Sequence, residues 1–429
     1  MPRNGAKGRR HSLVGWQGKE AVSGMSKEQG SSKRYIQQGT PAFKKANFAL
    51  FAAAFITFAN LYVTQPLLPV FAEEFDVTPA MASLSLSLTT LSLAFGLLIF
   101  GSLSEAWGRK NIMSICIVAA SVLTAVIAWS PSFELLLALR IVQGVAFAGI
   151  PSIAMAYLGE EIEGKSLGVA MGLYISGNTI GGLAGRVLMG TMTDLLSWKA
   201  GLVFLGSISL IACIYFVWAL PPSKHFQPQP LVLKPLFRSL VSHLKDAVLV
   251  PLFLIAFFSM GSFVTVFNYL GFKLAAPPYE LSLTIIGWIF LVYLVGTFSS
   301  AWFGMLADRH GRPVLLIIGM LLMIAGVLVT LPVPIVYQLL GLVIFTFGFF
   351  GAHSVASGSV SQQATHDMAQ ASSLYLFAYY LGSSIGGSAG GVFWSLFGWH
   401  GIVGFAVGLL VVSMLLALRI KRLSKMPAL

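Results

Sequence analysis

Long apolar segments recur along the chain, and short polar stretches separate them. A helix that crosses a membrane needs about 20 consecutive, mostly apolar residues. Twelve segments meet this requirement, in two groups of six on either side of a polar, proline-bearing stretch at 221–246. The pattern therefore predicts an all-α polytopic membrane protein with twelve transmembrane helices. The predicted spans are 46–70, 81–103, 112–129, 134–158, 166–189, 198–220, 247–273, 282–306, 313–330, 335–358, 370–393 and 399–419.

Composition favours the same class of protein. The chain has 429 residues, of which 56% are hydrophobic and 10% are charged, whereas soluble proteins are about 25% charged. Cys116 and Cys213 both lie in apolar segments and indicate no disulfide framework. The polar, Gly/Ser-rich sequence before the first span is typical of a disordered segment. The predicted divisions are a basic disordered tail at 1–45, six-helix bundles at 46–220 and 247–420, a cytoplasmic central loop at 221–246, and a basic tail at 421–429.

The distribution of positive charge predicts the orientation. The net charge is +12, and 23 of the 27 Lys and Arg residues lie in tails and loops on one side of the membrane. The other side carries Lys199 and Lys273, while Arg140 and Arg186 lie inside spans. Cationic loops stay in the cytoplasm, so both termini are predicted to be cytoplasmic. The charge is therefore assigned to topology and lipid contact, and no nucleic-acid partner is expected.

Two sequence repeats indicate an internal duplication. GSLSEAWGRK at 101–110 matches GMLADRHGRP at 304–313 with an offset of 203 residues. YISGNTIGGLAG at 174–185 matches YYLGSSIGGSAG at 379–390 with an offset of 205. Two nearly equal offsets indicate a duplicated six-helix unit. Because six spans return the chain to the same side, the copies are predicted to be parallel repeats.

These repeats resemble motifs of the major facilitator superfamily. The decapeptides resemble its loop motif G-x-L-x-D-R-x-G-R-[RK], and LLALRIVQGVAFA at 136–148 resembles its fourth-helix motif. GNTIGG at 177–182 resembles its antiporter motif G-P-x-x-G-G, with Asn178 in place of proline. The resemblance extends over residues 41–420. It implies a secondary active transporter that works by alternating access, and not an enzyme.

The resemblance also implies partners and a location. It points to proton-coupled efflux of a drug-like molecule or metabolite across the inner membrane of a bacterium. The departure at Asn178 leaves import, or facilitation without proton antiport, open as the alternative. A small-molecule substrate, a proton and membrane lipid are the expected partners, with no cofactor, metal or nucleotide, and the chain is expected to be a monomer. The sequence does not name the substrate.

The decapeptides are implied to form a latch on the cytoplasmic side. Glycine at 108 and 311 permits a tight turn, and the acid can face the positive end of a neighbouring helix. The arginine can pair with that acid or with lipid phosphate; the alternative is a simple topology anchor. The first copy departs from the motif at Glu105 and Ala106. The candidate latch residues are Gly101, Glu105, Gly108, Arg109, Lys110, Gly304, Asp308, Arg309, Gly311 and Arg312.

Glycines at spacings of four or five residues line one face of the fifth span and one face of the eleventh. Small residues at this spacing let transmembrane helices approach closely. The resemblance favours a seam between the two bundles, on which they slide or rock, and static packing is the alternative. The candidate seam residues are Gly177, Gly181, Gly182, Gly185, Gly382, Gly386, Gly387 and Gly390.

Several polar residues inside spans are candidates for the substrate or ion pathway. Arg140 and Arg186 could face an anionic or hydrogen-bonding substrate, although either could instead reach the head groups. No Asp or Glu lies deep in a span, so His353 is the candidate proton carrier, with simple packing as the alternative. Amide and phenol groups in apolar spans suit a wet cavity. The remaining candidates are Asn60, Tyr62, Gln65, Asn178, Asn268, Tyr269, Tyr375 and Tyr379.

The segment GEEIEGKS at 159–166 matches the P-loop expression G-x-x-x-x-G-K-[ST]. A P-loop follows a strand and cradles phosphate with backbone N–H groups. Here the match connects two spans, and its three glutamates would repel phosphate. The match is therefore interpreted as chance.

Overall fold

The computed structural model of the chain describes residues 35–228 and 233–423, apart from the side chains of 233–236 and of Asp308. Most of the tail predicted at 1–45, part of the central loop and most of the C-terminal tail therefore lie outside the described residues. Nearly all of the described chain is helical. Eleven of its helices are long and apolar enough to cross a membrane.

The helices follow the predicted spans closely. We number the long helices in chain order. They are α1 (Pro41–Glu74), α2 (Pro79–Trp107), α3 (Arg109–Ile127), α4 (Phe133–Glu161), α5 (Gly164–Leu195), α6 (Trp198–Ala219), α7 (Leu249–Ala275), α8 (Leu283–Ala307), α9 (Arg312–Val329), α10 (Ile335–Gln363) and the 56-residue helix Met368–Leu423. The last of these is interrupted at Gly398, with φ 57° and ψ −138°, and we call its two segments α11 (368–397) and α12 (399–423).

Local chemistry sets the helix ends. Hydroxyl side chains accept a backbone N–H in the first turn of five helices and so satisfy donors that the helix leaves free. Gly108 and Gly311 adopt φ of 93° and 85°, a conformation that favours glycine. They make the turns between α2 and α3 and between α8 and α9. The capping residues are Thr40, Thr78, Ser132, Ser197 and Ser282.

Order begins earlier than the sequence predicted. The helix starts at Pro41, inside the predicted 1–45 tail. Before it, the backbone N–H of Ile36 donates to the carbonyl of Glu161 at 2.8 Å, and the N–H of Glu163 donates to the carbonyl of Ile36 at 3.0 Å. The tail boundary at 45 is therefore wrong for residues 36–45, because backbone bonds to the α4–α5 turn hold this segment.

The central loop contains a helix that the sequence did not predict. Leu233–His243 is helical and packs against the helix Met368–Leu423. The Ser239 hydroxyl donates to the Asp367 carboxylate at 2.6 Å. This bond lowers the pKa of Asp367, because it stabilises the charged form. The ring of His243 stacks on that of His366, with centroids 4.5 Å apart.

The duplication appears in the packing of the helices. In the first half, glycines of α5 lie against the backbone of α1. In the second half, Gly382 and Gly386 of α11 lie against the backbone of α7 in the same way, and Gly390 lies against the side chain of Thr265 on that helix. The matched pairs are Gly177 with Phe51, Gly181 with Phe55 and Gly185 with Ala59, and then Gly382 with Phe257, Gly386 with Gly261 and Gly390 with Thr265.

These contacts correct the predicted role of the glycines. Six of the eight predicted seam residues pack inside their own half, because each faces a helix of the same half. The most extensive contacts between the two halves instead join α2 to α11 and α5 to α8. Gly387 lies at the first of these contacts, beside the hydroxyl of Ser87, while Gly182 faces Arg186.

We expect Gly181→Ala to destabilise the protein. A Cβ at Gly181 would lie 2.1 Å from the carbonyl oxygen of Phe55, and overpacking of this kind costs about 1–3 kcal/mol. Gly172→Ala is the matched control on the same helix, because a Cβ there meets nothing within 4 Å. Thermal unfolding of the purified protein in detergent should show a lower Tm for Gly181→Ala alone. Equal melting temperatures for the two variants would contradict the packing.

Candidate functional site

A break in α1 creates a buried polar site in the first half. The helical segment Pro41–Leu61 ends there, so carbonyls in its last turn lack helical partners. Arg140 of α4 donates from Nη1 to the Asn60 carbonyl at 3.1 Å and from Nη2 to the Leu61 carbonyl at 2.7 Å. Its Nε donates to the Ser85 carbonyl at 2.9 Å. The guanidinium is completely buried and joins α1, α2 and α4.

Side chains extend this site into a buried network. Arg140 donates to Gln143 Oε1 at 2.5 Å, and Gln143 Nε2 donates to Thr124 Oγ1 at 2.7 Å. Thr124 donates to Asn60 Oδ1 at 2.7 Å, and Asn60 Nδ2 donates to Ser209 at 2.8 Å. Arg140 and Asn60 therefore hold α1, α3, α4 and α6 together. Neither Arg140 nor Asn60 lines the cavity between the two halves, although both were predicted to lie on the substrate or ion pathway.

A cavity of about 110 Å³ lies between the two halves of the chain. Each half contributes seven of the fourteen residues that line it. The wall from the first half carries amide, hydroxyl and guanidinium groups, whereas the wall from the second half is aromatic and aliphatic. The lining residues are Phe58, Tyr62, Gln65, Asn178, Thr179, Gly182 and Arg186, and then Met260, Phe263, Val264, Tyr293, Phe349, Phe350 and Tyr379.

Arg186 is the single charged residue among the described residues that line the cavity. Its side chain donates from Nε to Gln65 Oε1 at 2.8 Å and from Nη1 to the Gly182 carbonyl at 2.6 Å. Three aromatic rings surround the guanidinium, with centroids 4.3 Å (Tyr62), 4.7 Å (Phe290) and 5.0 Å (Tyr293) from its central carbon. Ring faces attract a cation, so the site holds the charge without a carboxylate.

Cross-half hydrogen bonds close the cavity on one side. Gln65 Nε2 of the first half donates to Asn268 Oδ1 of the second half at 2.9 Å. The Ser83 hydroxyl of the first half donates to the carbonyl of Gly387 of the second half at 3.3 Å, and the Tyr269 hydroxyl donates to the same carbonyl at 3.0 Å from within the second half. Asn268 and Tyr269 thus lie beside the cavity and support its closure, while Gln65 also forms part of its wall.

A second closure lies farther along the same side, where α5 meets α8. The carboxylate of Asp194, near the end of α5, accepts the backbone N–H of Thr284 at 2.7 Å and that of Leu283 at 3.3 Å. It also accepts the Thr284 hydroxyl at 2.7 Å. A carboxylate at a helix N-terminus is favoured by the helix dipole. The sequence analysis did not single out Asp194, because its partner lies in the other half.

His353 lies behind the aromatic wall of the cavity. Its Nδ1 is 2.9 Å from the Tyr375 hydroxyl. Its ring lies 4.8 Å from the ring of Tyr379 and 6.0 Å from that of Phe349, measured between centroids. Both of these rings line the cavity. His353 and Tyr375 therefore form a second layer that Tyr379 connects to the central space.

The sequence located part of this site. Five predicted pathway residues line the cavity together: Tyr62, Gln65, Asn178, Arg186 and Tyr379. The individual residues of the apolar wall were not singled out, because they lie in uniformly hydrophobic runs. Its aromatic residues at 345–350, in the segment FTFGFF, were the available signal. Among the described residues, no group of three or more His, Cys, Asp or Glu side chains could hold a metal ion.

The first decapeptide binds a partner that the sequence did not identify. Arg109 donates from Nη2 to Glu160 Oε1 at 2.7 Å and from Nε to Glu160 Oε2 at 3.3 Å. Glu105 is farther from Arg109, at 3.6 Å. Arg109 also donates to the hydroxyl of Ser104 at 2.6 Å, and Lys110 donates to the carbonyl of Leu220 at 2.6 Å. In this structure the motif links α2, α3 and α4 of one half.

The glycines that open the decapeptides face open space. A Cβ at Gly101 or Gly304 meets no atom within 4 Å, so no neighbouring helix approaches closely there. In the second copy, Arg309 is exposed and Arg312 reaches Gly358 of α10. The side chain of Asp308 lies outside the described residues.

Comparison with known proteins agrees with this geometry. The profile of the Major Facilitator Superfamily matches residues 50–387 and 252–428. The chain is 54% identical over 393 residues to the MFS-type transporter YybF of Bacillus subtilis (strain 168), which covers 92% of this chain and 97% of that protein. It is 42% identical over 389 residues to the inner membrane transport protein YnfM of Escherichia coli (strain K12), with coverages of 91% and 93%.

A solved structure shares the fold. A bacterial homologue of the human lysosomal transporter Spinster, in an inward-facing and unoccupied conformation, has a TM-score of 0.74 at 17% identity. The match covers 91% of this chain and 100% of that chain. The predicted family and its all-α multi-pass architecture are confirmed. The chain belongs to the major facilitator superfamily, whose members are membrane transporters of small molecules.

Proposed function

We propose that this chain exports a small organic molecule across the bacterial cytoplasmic (inner) membrane by alternating access, coupled to proton entry. The observation that carries the proposal is the central cavity, to which each half contributes seven residues. A site divided equally between two duplicated halves changes its exposure when the halves rotate against each other. The chain acts in this proposal as a monomer, and the membrane lipid is its remaining partner.

The proposed topology has twelve spans in two six-helix bundles, at 46–220 and 247–420, joined by the loop 221–246. The interruption at Gly398 supports the count. An unbroken helix of 56 residues would be about 84 Å long, far more than the ~30 Å of a bilayer core. Both termini are proposed to be cytoplasmic, because the loops on that side carry most of the Lys and Arg.

We assign this structure to the inward-facing state. The side with few positive charges is closed, because Asp194 binds the start of α8 and Gln65 binds Asn268. On the cytoplasmic side, Gly101 and Gly304 face open space. In the outward-facing state these glycines would receive a neighbouring helix, and the decapeptides would latch the two halves.

Proton coupling is proposed to pass through His353. Its place behind Tyr379 puts a titratable imidazole one ring away from the cavity, and an imidazole can exchange protons near neutral pH. Import, or facilitation without a proton, is the second candidate. Asn178 favours it, because this residue stands where antiporters of the family carry proline.

We expect His353→Ala to uncouple transport from the proton gradient. A deletion and overexpression screen across toxic compounds and metabolites supplies the substrate. In proteoliposomes, the variant should lose stimulation by a pH gradient and keep counterflow of the labelled substrate, because counterflow needs alternating access alone. His400→Ala is the control, since His400 is exposed on α12. Unchanged stimulation in His353→Ala would remove this residue from the coupling mechanism.

We expect Asp194→Ala to shift the protein toward the outward-facing state. The substitution removes three hydrogen bonds across the halves, each worth about 1 kcal/mol. Labelling of a cysteine introduced at Thr64, on the closed side of the cavity, should then become faster. Glu73→Ala is the control, because Glu73 is an exposed acid on the same side. If both variants label at the rate of the parent protein, Asp194 is not part of the closure.

We expect Glu160→Gln to disturb the site of Arg109 in the first decapeptide more than Glu105→Gln does. Glu160 makes two hydrogen bonds to Arg109, whose side chain is 8% exposed, and loss of a charged partner at a buried donor costs about 1–3 kcal/mol. Glu160→Gln should lower the melting temperature and the counterflow rate more than Glu105→Gln does. The reverse order would show that Glu105 is the partner that matters during the cycle.

A further inference from the structure

We propose that the cavity binds a small organic anion with an aromatic or branched apolar body. This inference rests on the proposed transport function and names its substrate class. It begins from Arg186, which is 2% exposed and lies on the wall of the cavity. A buried cation is retained where something compensates its charge, and the chain itself supplies only part of that compensation.

The described part of the chain provides dipoles and ring faces for Arg186, but no negative charge. Two hydrogen bonds reach neutral acceptors, the amide of Gln65 and the carbonyl of Gly182. The ion pairs among the described side chains do not include Arg186. No Asp or Glu is present among the residues that line the cavity. The cavity wall therefore has a net positive charge, which attracts an anion and repels a cation.

The geometry of Arg186 leaves donors for a ligand. Its Nε and one N–H of Nη1 are engaged, and no acceptor in the described part of the chain bonds to Nη2. The planar guanidinium binds a carboxylate well, because its N–H groups match the two oxygens. The rings of Tyr62 and Tyr293 both contact the guanidinium and so limit its movement before a ligand binds.

Arg140, the other arginine inside a span, differs from Arg186 in its hydrogen bonding. It is also buried, but its N–H groups donate to three backbone carbonyls and to the side chain of Gln143. Arg140 therefore acts as a structural residue, whereas Arg186 retains binding capacity. The anion preference belongs to one arginine and not to the charge of the bundle as a whole.

The opposite wall defines the rest of the ligand. Met260, Phe263, Val264 and Phe349 line it, and the rings of Phe263 and Phe349 stack with centroids 3.9 Å apart. This surface provides no charged group and suits a flat or branched apolar body. A molecule that spans the cavity would place its anionic group on α5 and its apolar body against α7 and α10. An inorganic anion would leave the apolar wall unfilled.

The test measures binding to the purified full-length protein in detergent by calorimetry. Phenylacetate, phenylacetamide and phenethylamine serve as probes, because they share one ring and differ in charge. We expect phenylacetate to bind more tightly than the neutral and cationic probes. We also expect Arg186→Gln to weaken its binding roughly 10- to 100-fold, with partial rescue by Arg186→Lys. Lys165→Gln is the control, because Lys165 is exposed at the start of the same helix and should leave binding unchanged.

Two results would overturn the inference. In the first, the parent protein binds phenethylamine or phenylacetamide at least as tightly as phenylacetate. This measurement uses the parent protein alone and so does not depend on the folding of a variant. The other is the absence of phenylacetate binding at millimolar concentration. Counterflow separates this test from that of the proposed function. If the protein transports cations and Arg186→Gln does not change the rate, the anion preference is wrong and the transport function stands. If phenylacetate binding depends on Arg186 but no counterflow occurs, the anion site stands and the transport function is wrong.

Discussion

The close approach of α5 to α1, and of α11 to α7, is the constraint on which the position of the cavity depends. Gly181 lies against the backbone of Phe55, so no side chain can separate the two helices there. This contact fixes the rotation of α5 and turns Arg186 toward Tyr62 and Gln65 of α1. The same contact in the second half places Tyr379 of α11 beside Phe349 of α10.

The duplicated halves have kept their packing and diverged in their chemistry. At an offset of 205 from Arg186, the second half has Gly391, which lies against Ala80 of α2. Arg186 lies at the corresponding contact between α5 and α8. Because Gly287 of α8 has no side chain, the backbone of α8 lies close to the backbone of Arg186 there. Of these two equivalent contacts, the one between α2 and α11 therefore has only a glycine, Gly391, at this position. The other also carries a buried charge into the cavity.

The sequence was sufficient to locate the helices and the duplication, because hydropathy and glycine spacing are properties of single segments. It was not sufficient to say which helix the glycines face. A small-residue stripe identifies a contact surface and not its neighbour. It also could not separate Arg140 from Arg186, since both are cations inside spans. The difference arises from the break inside α1 after Leu61, where the free carbonyls of Asn60 and Leu61 bind Arg140. The partner of Arg109 was missed because Glu160 lies 51 residues away along the chain.

The division of the cavity into a polar wall on α1 and α5 and an apolar wall on α7, α8 and α10 bears on how this protein can evolve. Each wall lies on helices of a different half, so a mutation in one leaves the hydrogen bonds of the other intact. Exchanges among Met260, Val264 and Phe350 can change the size and shape of the cavity and leave the hydrogen bonds of Arg186 to Gln65 and Gly182 in place. A lineage can thus diversify its cargoes step by step while the guanidinium stays in place.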